Sequence, residues 1–201
     1  MVRTGIYYAA ALVVGGLVLS WLARPAWAWP FYLAAAFCLY FFRDPERVIP
    51  EGPVAVSPAD GKLVAVAAEP GGATRLSIFL SVFDVHVNRA PIAGTITSVE
   101  YRPGRFHVAS REAASVENEQ NTVTLEGDGS RVVFKQIAGI VARRIVFYKK
   151  PGDRVEKGER VGLIQFGSRL DLVLGPEWEI VVRRGERVRA GSSIVARRRG
   201  A

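Results

Sequence analysis

Cysteine and histidine are scarce in this chain of 201 residues. With one cysteine, Cys38, the chain cannot form an internal disulfide, and a zinc site built on cysteine is excluded. The two histidines, His86 and His107, are too few for a convincing metal site without cysteine ligands. A glycine-rich phosphate loop is also absent. We therefore expect no metal and no nucleotide cofactor.

The charge and the hydropathy of the chain together indicate a membrane partner. The net charge is +8, the isoelectric point is near 10.1, and the mean hydropathy is positive at +0.15. A nucleic-acid-binding protein is expected to combine such charge with few long apolar runs. Here long apolar runs accompany the positive charge, which favours an anionic membrane surface over nucleic acid.

Two apolar runs, residues 5–23 and 26–42, occupy the first part of the chain. Each is about long enough to cross or enter a bilayer, the second at the lower limit. The second run argues against a cleaved signal peptide, and the short link predicts a helical hairpin. Basic residues at the outer ends favour a cytoplasmic location for both ends. We predict that residues 1–47 associate with the cell inner membrane and that the rest of the chain, residues 48–201, lies on its cytoplasmic side.

Residues 48–201 have the pattern of a β-rich domain. Short runs rich in valine and isoleucine alternate with glycine and proline, and helical periodicity is nearly absent. The predicted strands are two within Val54 to Ala68, one at Arg75 to Val82, one at Gly94 to Tyr101, and a hairpin that pairs Val123 to Leu125 with Val132 to Phe134.

An internal repeat near the carboxy terminus predicts the architecture of this domain. Residues 152–162 align with residues 185–195 in a pattern of turn glycine, acid, basic residue, buried valine and second turn glycine. Two related hairpins packed face to face predict a flattened β-barrel or sandwich, similar to lipoyl and biotinyl carrier domains. The lysine that such carriers modify is missing, so carriage of either group is not expected.

The pair Gly167-Ser168 separates two alternating apolar runs, one ending at Phe166 and one running from Leu170 to Leu174. A glycine inside a strand marks a bulge or a close backbone approach, and the structural interpretation of the pair is a turn. The chemical interpretation is that Ser168 attacks the carbonyl of Gly167, which no side chain obstructs. The resulting ester can undergo elimination, and the new amino-terminal residue can hydrolyse to a pyruvoyl group.

Three side chains are candidates for assisting this serine. His86 lies on an apparent strand, where alternation places it on one face with Asp84 and Asn88. Histidine is the best side chain for deprotonating a serine near neutral pH, and an acid that orients it improves it. Asp60, in a predicted turn, is a candidate for that acid, although turn chemistry alone explains it equally well. His107 lies in an apparent loop and is the weaker candidate.

Together these motifs resemble the phosphatidylserine decarboxylase family, in the short form found in bacteria and archaea. The resemblance covers most of the chain. The segments that carry it are, in order, Phe41-Phe42-Arg43-Asp44-Pro45, Ser57-Pro58-Ala59-Asp60-Gly61, Asp84-Val85-His86, Asn118-Glu119-Gln120-Asn121, Gln136-Ile137-Ala138-Gly139 and Phe166-Gly167-Ser168-Arg169-Leu170-Asp171.

The resemblance implies a proenzyme that cleaves itself between Gly167 and Ser168. The products would be a β chain, residues 1–167, and an α chain, residues 168–201, which begins with a pyruvoyl group derived from Ser168. The two chains would form a heterodimer, and further oligomerisation is left open. Asp60 and a histidine would complete the self-cleaving triad. Longer relatives carry a second histidine where this chain has Arg89, so either His86 performs both proton transfers or His107 supplies one; we favour His86 with Asp60.

The resemblance also implies the reaction. The amine of phosphatidylserine would form a Schiff base with the pyruvoyl carbonyl, which accepts the electrons released as carbon dioxide leaves, as pyridoxal phosphate does in other enzymes. No metal and no pyridoxal phosphate would be needed. His86 is the candidate for protonating the carbanion, and the product would be phosphatidylethanolamine.

Two other interpretations of the sequence remain. One is a non-enzymatic, membrane-anchored adaptor with lipoyl-like hairpins, which predicts that the chain stays intact. The other keeps the chemistry and changes the lipid to another serine phospholipid, such as archaetidylserine.

Overall fold

The structure is a computed structural model that describes residues 2–107, 117–139, 144–165 and 168–200. The chain divides into two compact units, Met1–Glu46 and Arg47–Ala201. The first unit is helical. Helix α1, Arg3–Leu22, is followed by a 3-10 turn at Pro25–Ala28 and by helix α2, Trp29–Phe41.

The two helices differ in length. Helix α1 has 20 residues, which extend about 30 Å, and it is the one helix among the described residues that is long and apolar enough to cross a membrane. Helix α2 has 13 residues and extends only about 20 Å, less than the thickness of a hydrocarbon core. The apolar amino-terminal hairpin predicted from the sequence is confirmed as a pair of packed helices.

Glycines on α1 allow the aromatic side chains of α2 to pack closely. A Cβ atom added at Gly16 would lie 2.7 Å from the ring of Tyr32, and one at Gly15 would lie 3.3 Å from the ring of Phe31. The side chain of Phe42 similarly fills the space beside Gly5. Small residues that let two helices approach closely are typical of helix pairs in lipid.

The second unit is built of antiparallel strands. The described strands are β1 Val54–Val56, β2 Gly61–Ala68, β3 Thr74–Leu80, β4 Val87–Arg89, β5 Gly94–Arg102, β6 Gln120–Gly127, β7 Ser130–Ile137, β8 Arg144–Phe147, β9 Arg154–Val155, β10 Arg160–Gln165, β11 Ser168–Leu174, β12 Trp178–Ile180, β13 Arg187–Val188 and β14 Ile194–Arg198. A 3-10 turn, Pro70–Gly72, connects β2 and β3.

Three sheets arise from the described strands. The largest has the order β13-β2-β3-β11-β7-β6-β5-β9 and curls into a half-barrel. The other two have the orders β4-β10-β8 and β1-β14-β12. The prediction of a mainly β domain of hairpins, preceded by an apolar helical hairpin, is therefore confirmed.

Strand β11 lies in the middle of the large sheet, between β3 and β7. Leu170, Leu172 and Leu174 alternate on its inner face, which is the face that packs on the hydrophobic core. The same face of β3 supplies Leu76 and Ile78 to that core. The alternation seen in the sequence after Ser168 is thus the core-facing pattern of a central strand.

The predicted hairpin between β6 and β7 is confirmed. Val123 pairs with Phe134, and the two strands are joined at Asp128 and Gly129, whose φ angles are 50° and 69°. Positive φ at both central residues defines the tight turn that matches the twist of antiparallel strands, and it accounts for the Asp-Gly sequence.

The internal repeat is also present in three dimensions. The first turn glycines, Gly152 and Gly185, have φ angles of 94° and 96°. The second turn glycines, Gly158 and Gly191, have φ angles of 78° and 75°. In each copy the amide of the second glycine donates to a backbone carbonyl at 2.8 Å. The amide of Gly158 donates to the carbonyl of Ala90, and the amide of Gly191 donates to the carbonyl of Ser57. The two hairpins are therefore built alike.

The strand predicted around His86 is shorter in the structure. Strand β4 begins only at Val87, and residues 82–84 form a turn. The carboxylate of Asp84 stabilises this turn by accepting hydrogen bonds from the amide and the hydroxyl of Ser81, at 2.9 and 2.7 Å. Local hydrogen bonding by an aspartate here replaces extended pairing, as is common for this residue type.

Candidate active site

Ser168 is the first residue of β11. It pairs with Leu80 of β3, and because it precedes Leu170 by two residues its side chain lies on the inner face. Its exposed fraction is 0%, and its Oγ atom has no hydrogen-bond partner within the described parts of the chain. An unpaired buried hydroxyl is unusual in a folded protein and calls for a functional explanation. Gly167, the other half of the predicted cleavage site, lies outside the described residues.

His86 is buried beside the strand that leads to this serine. Its exposed fraction is 2%, and its backbone carbonyl accepts a hydrogen bond from the amide of Ile164 in β10. Its Nδ1 lies 2.9 Å from the carbonyl oxygen of Asp84. Because a carbonyl oxygen can only accept, Nδ1 carries the proton, and the neutral ring has its lone pair on Nε2. This is the tautomer that a general base at Nε2 requires.

Two contacts link the segment around His86 to the strands that flank the predicted cleavage site in the sequence, β10 and β11. At one end Leu80 pairs with Ser168, and at the other His86 binds the amide of Ile164. The backbones of His86 and Leu80 are therefore attached to β10 and to the first residue of β11, respectively.

Asp60 has two described hydrogen-bonding partners, neither of which is His86. Its carboxylate accepts from Arg47 at 2.9 and 3.1 Å and from the amide of Ala190 at 2.7 Å. Burial raises the pKa of Asp60 above 3.8, and the nearby Asp84 raises it further, while Ala190 and Arg47 act in the opposite direction. The pairing of Asp60 with His86 stays a prediction.

Asp84 is a further acid of this region that the sequence analysis gave no role. It is 8% exposed, and besides closing the turn it forms an ion pair with Arg187 of β13. Asp60 is thus a partly buried carboxylate and Asp84 a buried one, and each is held by its own arginine. Their arginines, Arg47 and Arg187, come from distant parts of the chain, which the sequence pattern did not reveal.

His107 differs from His86 in its environment. Its side chain is 42% exposed, and Nε2 lies 3.0 Å from a carboxylate oxygen of Glu117. Its backbone is held by Asn118, which accepts from the amide of His107 and donates to its carbonyl, each at 2.9 Å. Residues 108–116 of the predicted loop lie outside the described residues. A solvent-exposed ring paired with Glu117 is less suited than His86 to act on the buried Ser168.

A chain of three buried amides occupies the inner face next to Ser168. We call Asn121, Gln136 and Asn88 the amide chain; each has an exposed fraction of 3% or less. Asn121 Nδ2 donates to Gln136 Oε1 at 3.1 Å, and Gln136 Nε2 donates to Asn88 Oδ1 at 2.9 Å. The sequence analysis missed this feature. Its signal was an amide at a core-facing position of an alternating strand, since Gln136 follows Val132 and Phe134 on one face.

A buried ionic cluster lies on the opposite face of β11, beginning at the residue after Ser168. Arg169 Nε donates to Asp171 Oδ1 at 2.7 Å, and another nitrogen of Arg169 donates to Ser77 Oγ at 2.7 Å. Arg75 contacts the other oxygen of Asp171 at 3.5 Å and Ser77 Oγ at 3.2 Å. Arg169 and Asp171 both have an exposed fraction of 0%. Arg169 and Asp171, two residues apart on one face of β11, thus form a buried ion pair.

Removing one member of this cluster is expected to destabilise the fold strongly. Arg169→Met should lower the free energy of unfolding by about 3–5 kcal/mol, because it removes the ion pair that Arg169 forms at 2.7 Å with the buried carboxylate of Asp171. The double variant Arg169→Met/Asp171→Leu should regain most of that loss, since no buried charge is left unpaired. Urea unfolding of the full chain in detergent measures both. Equal stability of the single and double variants would contradict the account.

The comparisons with known proteins all point to one family. A model of the phosphatidylserine decarboxylase family matches residues 34–196. A phosphatidylserine decarboxylase proenzyme of Solibacter usitatus is 67% identical over 198 residues, which cover 98% of this chain and 97% of the relative. Proenzymes of the same name are 46% identical in Desulfotalea psychrophila, over 82% of this chain and 81% of the relative, and 43% identical in Ralstonia nicotianae, over 96% and 94%.

All three relatives are named as proenzymes of a decarboxylase. The chain belongs to the phosphatidylserine decarboxylase family. The family resemblance stated from the sequence motifs is thereby confirmed.

Proposed function

We propose that this chain cleaves itself between Gly167 and Ser168 and then decarboxylates phosphatidylserine with the pyruvoyl group formed at residue 168. The observation that carries the proposal is the buried hydroxyl of Ser168, which has no partner among the described residues and lies at the start of a strand paired with Leu80, six residues before the buried His86. The family membership of the chain and the proenzyme name of its relatives support the same conclusion.

Self-cleavage begins when the hydroxyl of Ser168 loses its proton to His86 Nε2. The oxygen bonds to the carbonyl carbon of Gly167, the bond from that carbon to the amide nitrogen breaks, and the nitrogen takes up a proton, which leaves an ester. Elimination then removes the Cα proton of residue 168, forms a double bond between its Cα and Cβ, and breaks the bond between Cβ and the ester oxygen, which releases the carboxylate of residue 167. Hydrolysis of the resulting enamine consumes one water and releases one ammonia, leaving a pyruvoyl group at residue 168.

The residues around position 168 fit such a group. Strand β11 pairs with β3 and β7 along its length, so residue 168 would stay fixed after the chain before it is cut. The group supplies an electrophilic carbonyl for the substrate amine and a sink for the electrons released as carbon dioxide leaves. His86 would hold the proton at Nε2 that the substrate carbon needs after decarboxylation, because Nδ1 is already committed to the carbonyl of Asp84.

Asp60 would act on this site through charge. In the proposal its carboxylate favours the protonated form of His86 that arises when Ser168 is deprotonated. The β chain, residues 1–167, and the α chain, residues 168–201, would remain one heterodimer, since β11 lies between two strands of the β chain. Cleavage at this bond leaves those strand pairs in place.

The membrane is the proposed location of the substrate. Residues 1–47 would hold the enzyme at the inner membrane and residues 48–201 would form the catalytic domain on the cytoplasmic side, where the net charge of +8 favours anionic lipid. The apolar helix α1 supports this part of the proposal.

The decarboxylation test uses the full chain in detergent and vesicles that contain phosphatidylserine labelled at the serine carboxyl. Labelled carbon dioxide is expected from the parent and not from Ser168→Ala. Free serine should give none, because it lacks the lipid anchor of the substrate. A cleaved parent that releases no carbon dioxide from phosphatidylserine would refute the substrate assignment, and vesicles of archaetidylserine then test the other lipid.

A further inference from the structure

The amide chain has a direction. Each amide nitrogen donates to the oxygen of the next residue, from Asn121 to Gln136 and from Gln136 to Asn88. Asn88 therefore uses its oxygen as an acceptor within the chain and has its nitrogen at the far end. Hydrogen bonds in such a row polarise one another, which makes the terminal N–H group a better donor.

That terminal donor has no partner. Asn88 Nδ2 makes no hydrogen bond to any described residue, although Asn88 has an exposed fraction of 0%. Ser168 Oγ is buried and unpaired in the same way. A buried donor without an acceptor is costly, and that cost is relieved when an acceptor forms beside it.

The fold places these two unpaired groups in one layer. Gln136 of β7 pairs with Leu170, which lies two residues after Ser168 on the inner face of β11. Gln136 is therefore the diagonal cross-strand neighbour of Ser168, and such neighbours are about 7–8 Å apart between Cα atoms. Asn88 contacts Gln136 from the neighbouring sheet, where it pairs with Gly162. His86 precedes Asn88 by two residues, so the two side chains lie on the same face of this segment. The backbone carbonyl of His86 accepts from the amide of Ile164, which follows Gly162 by two residues in β10.

Gly162 keeps room for this contact. A Cβ atom added there would lie 3.0 Å from Gln136 Nε2, so a side chain at this position would press against the amide chain. The bond between Gln136 and Asn88 thus crosses from the large sheet to the sheet of β4 and β10. Strands β10 and β11, which flank the proposed cleavage site in the sequence, belong to these same two sheets.

We propose that Asn88 Nδ2 donates a hydrogen bond to the oxyanion that develops on the carbonyl oxygen of residue 167 when Ser168 attacks. This inference rests on the proposed self-cleavage. In that step the serine oxygen bonds to the carbonyl carbon, its proton passes to His86, and the electron pair of the carbonyl double bond moves to the carbonyl oxygen. A preorganised donor stabilises that charge without any reorganisation. Gln136 is a positioning residue, because it fixes the direction of the Asn88 amide.

The test follows self-cleavage of the full chain after a short pulse of cell-free synthesis in detergent. Asn88→Leu and Asn88→Asp should both cleave about 10²–10³-fold more slowly than the parent, since each removes the donor. Asn88→Ser keeps a donor in a smaller side chain and should cleave faster than either. Trp178→Phe is the matched control, because it deletes another buried, unpaired N–H and should cleave at the parental rate.

Two further readouts separate catalysis from packing. Hydroxylamine cleaves esters. Loss of the oxyanion donor should slow the step that forms the ester, so hydroxylamine should not speed chain cleavage in Asn88→Leu. Rapid cleavage by hydroxylamine would show that the ester forms without the donor and would overturn the proposal. Gln136→Leu should slow cleavage when it is introduced into the parent and should cause no further slowing when it is introduced into Asn88→Leu. Equal slowing in the parent and in Asn88→Leu would refute the positioning role of Gln136.

The remaining outcomes distinguish this inference from the proposed function. A parent that never cleaves refutes the proposed function. If the parent cleaves itself and Asn88→Leu cleaves at the same rate as the parent, only the oxyanion role of Asn88 is refuted. Equal slowness of Asn88→Leu, Asn88→Asp and Asn88→Ser would attribute the effect to packing and would also overturn it.

Discussion

Ser168→Ala is expected to remain one unbroken chain of 22.0 kDa with no decarboxylase activity. Alanine at this position removes the nucleophile and the atoms from which the pyruvoyl group is made, so no other residue can substitute for it. Because Ser168 Oγ makes no hydrogen bond to any described residue, its loss should not lower the stability of the fold. Denaturing electrophoresis and the carbon dioxide assay measure the two effects.

Ser130→Ala is the matched control for this variant. Ser130 also carries a buried hydroxyl without a partner among the described residues. It is the first residue of β7, whereas the end of β7 near Ser168 is Ile137, which pairs with Arg169. It should cleave and decarboxylate as the parent does. Activity at the parental level in Ser168→Ala would refute both the cleavage mechanism and the pyruvoyl group.

His86→Ala is expected to slow self-cleavage by about 10²–10⁴-fold, the usual contribution of a positioned general base. The effect is chemical, because the ring is the group that takes the proton of Ser168. The time course of cleavage after pulsed synthesis measures it. The turn before His86 should persist in the variant, since the hydrogen bonds between Ser81 and Asp84 that close it do not involve the ring.

The same experiment on His107→Ala distinguishes the two histidines. Its ring is partly exposed and paired with Glu117, so the expected cleavage rate is close to that of the parent. Slow cleavage in His107→Ala with a normal rate in His86→Ala would transfer the base role to His107. Slow cleavage in both would mean that the two proton transfers are divided between them.

The local features of the fold could be predicted from the sequence because local rules determine them. Asp128-Gly129 between alternating strands predicted the tight hairpin, and the repeated glycines predicted two equivalent turns. The alternation of leucines after Ser168 predicted a core-facing strand. Each of these follows from backbone conformation or from the period of a strand.

The contacts between distant segments could not be predicted in the same way. The partner of Asp84, Arg187, is 103 residues away in the sequence, and an isolated arginine carries no signal of its partner. The amide chain is similar, since Asn88, Asn121 and Gln136 meet only when two sheets come together. Long-range tertiary contacts determine these features, and the sequence pattern predicts only which faces are buried.

The most direct test of the central claim is the intact mass of the purified parent protein under denaturing conditions. The account predicts two chains that correspond to residues 1–167 and 168–201. The smaller chain should be lighter, by the mass of one ammonia, than the same peptide with an amino-terminal serine. One unbroken chain of 22.0 kDa that nevertheless releases carbon dioxide from phosphatidylserine would contradict the account, because it would separate the activity from the cleavage.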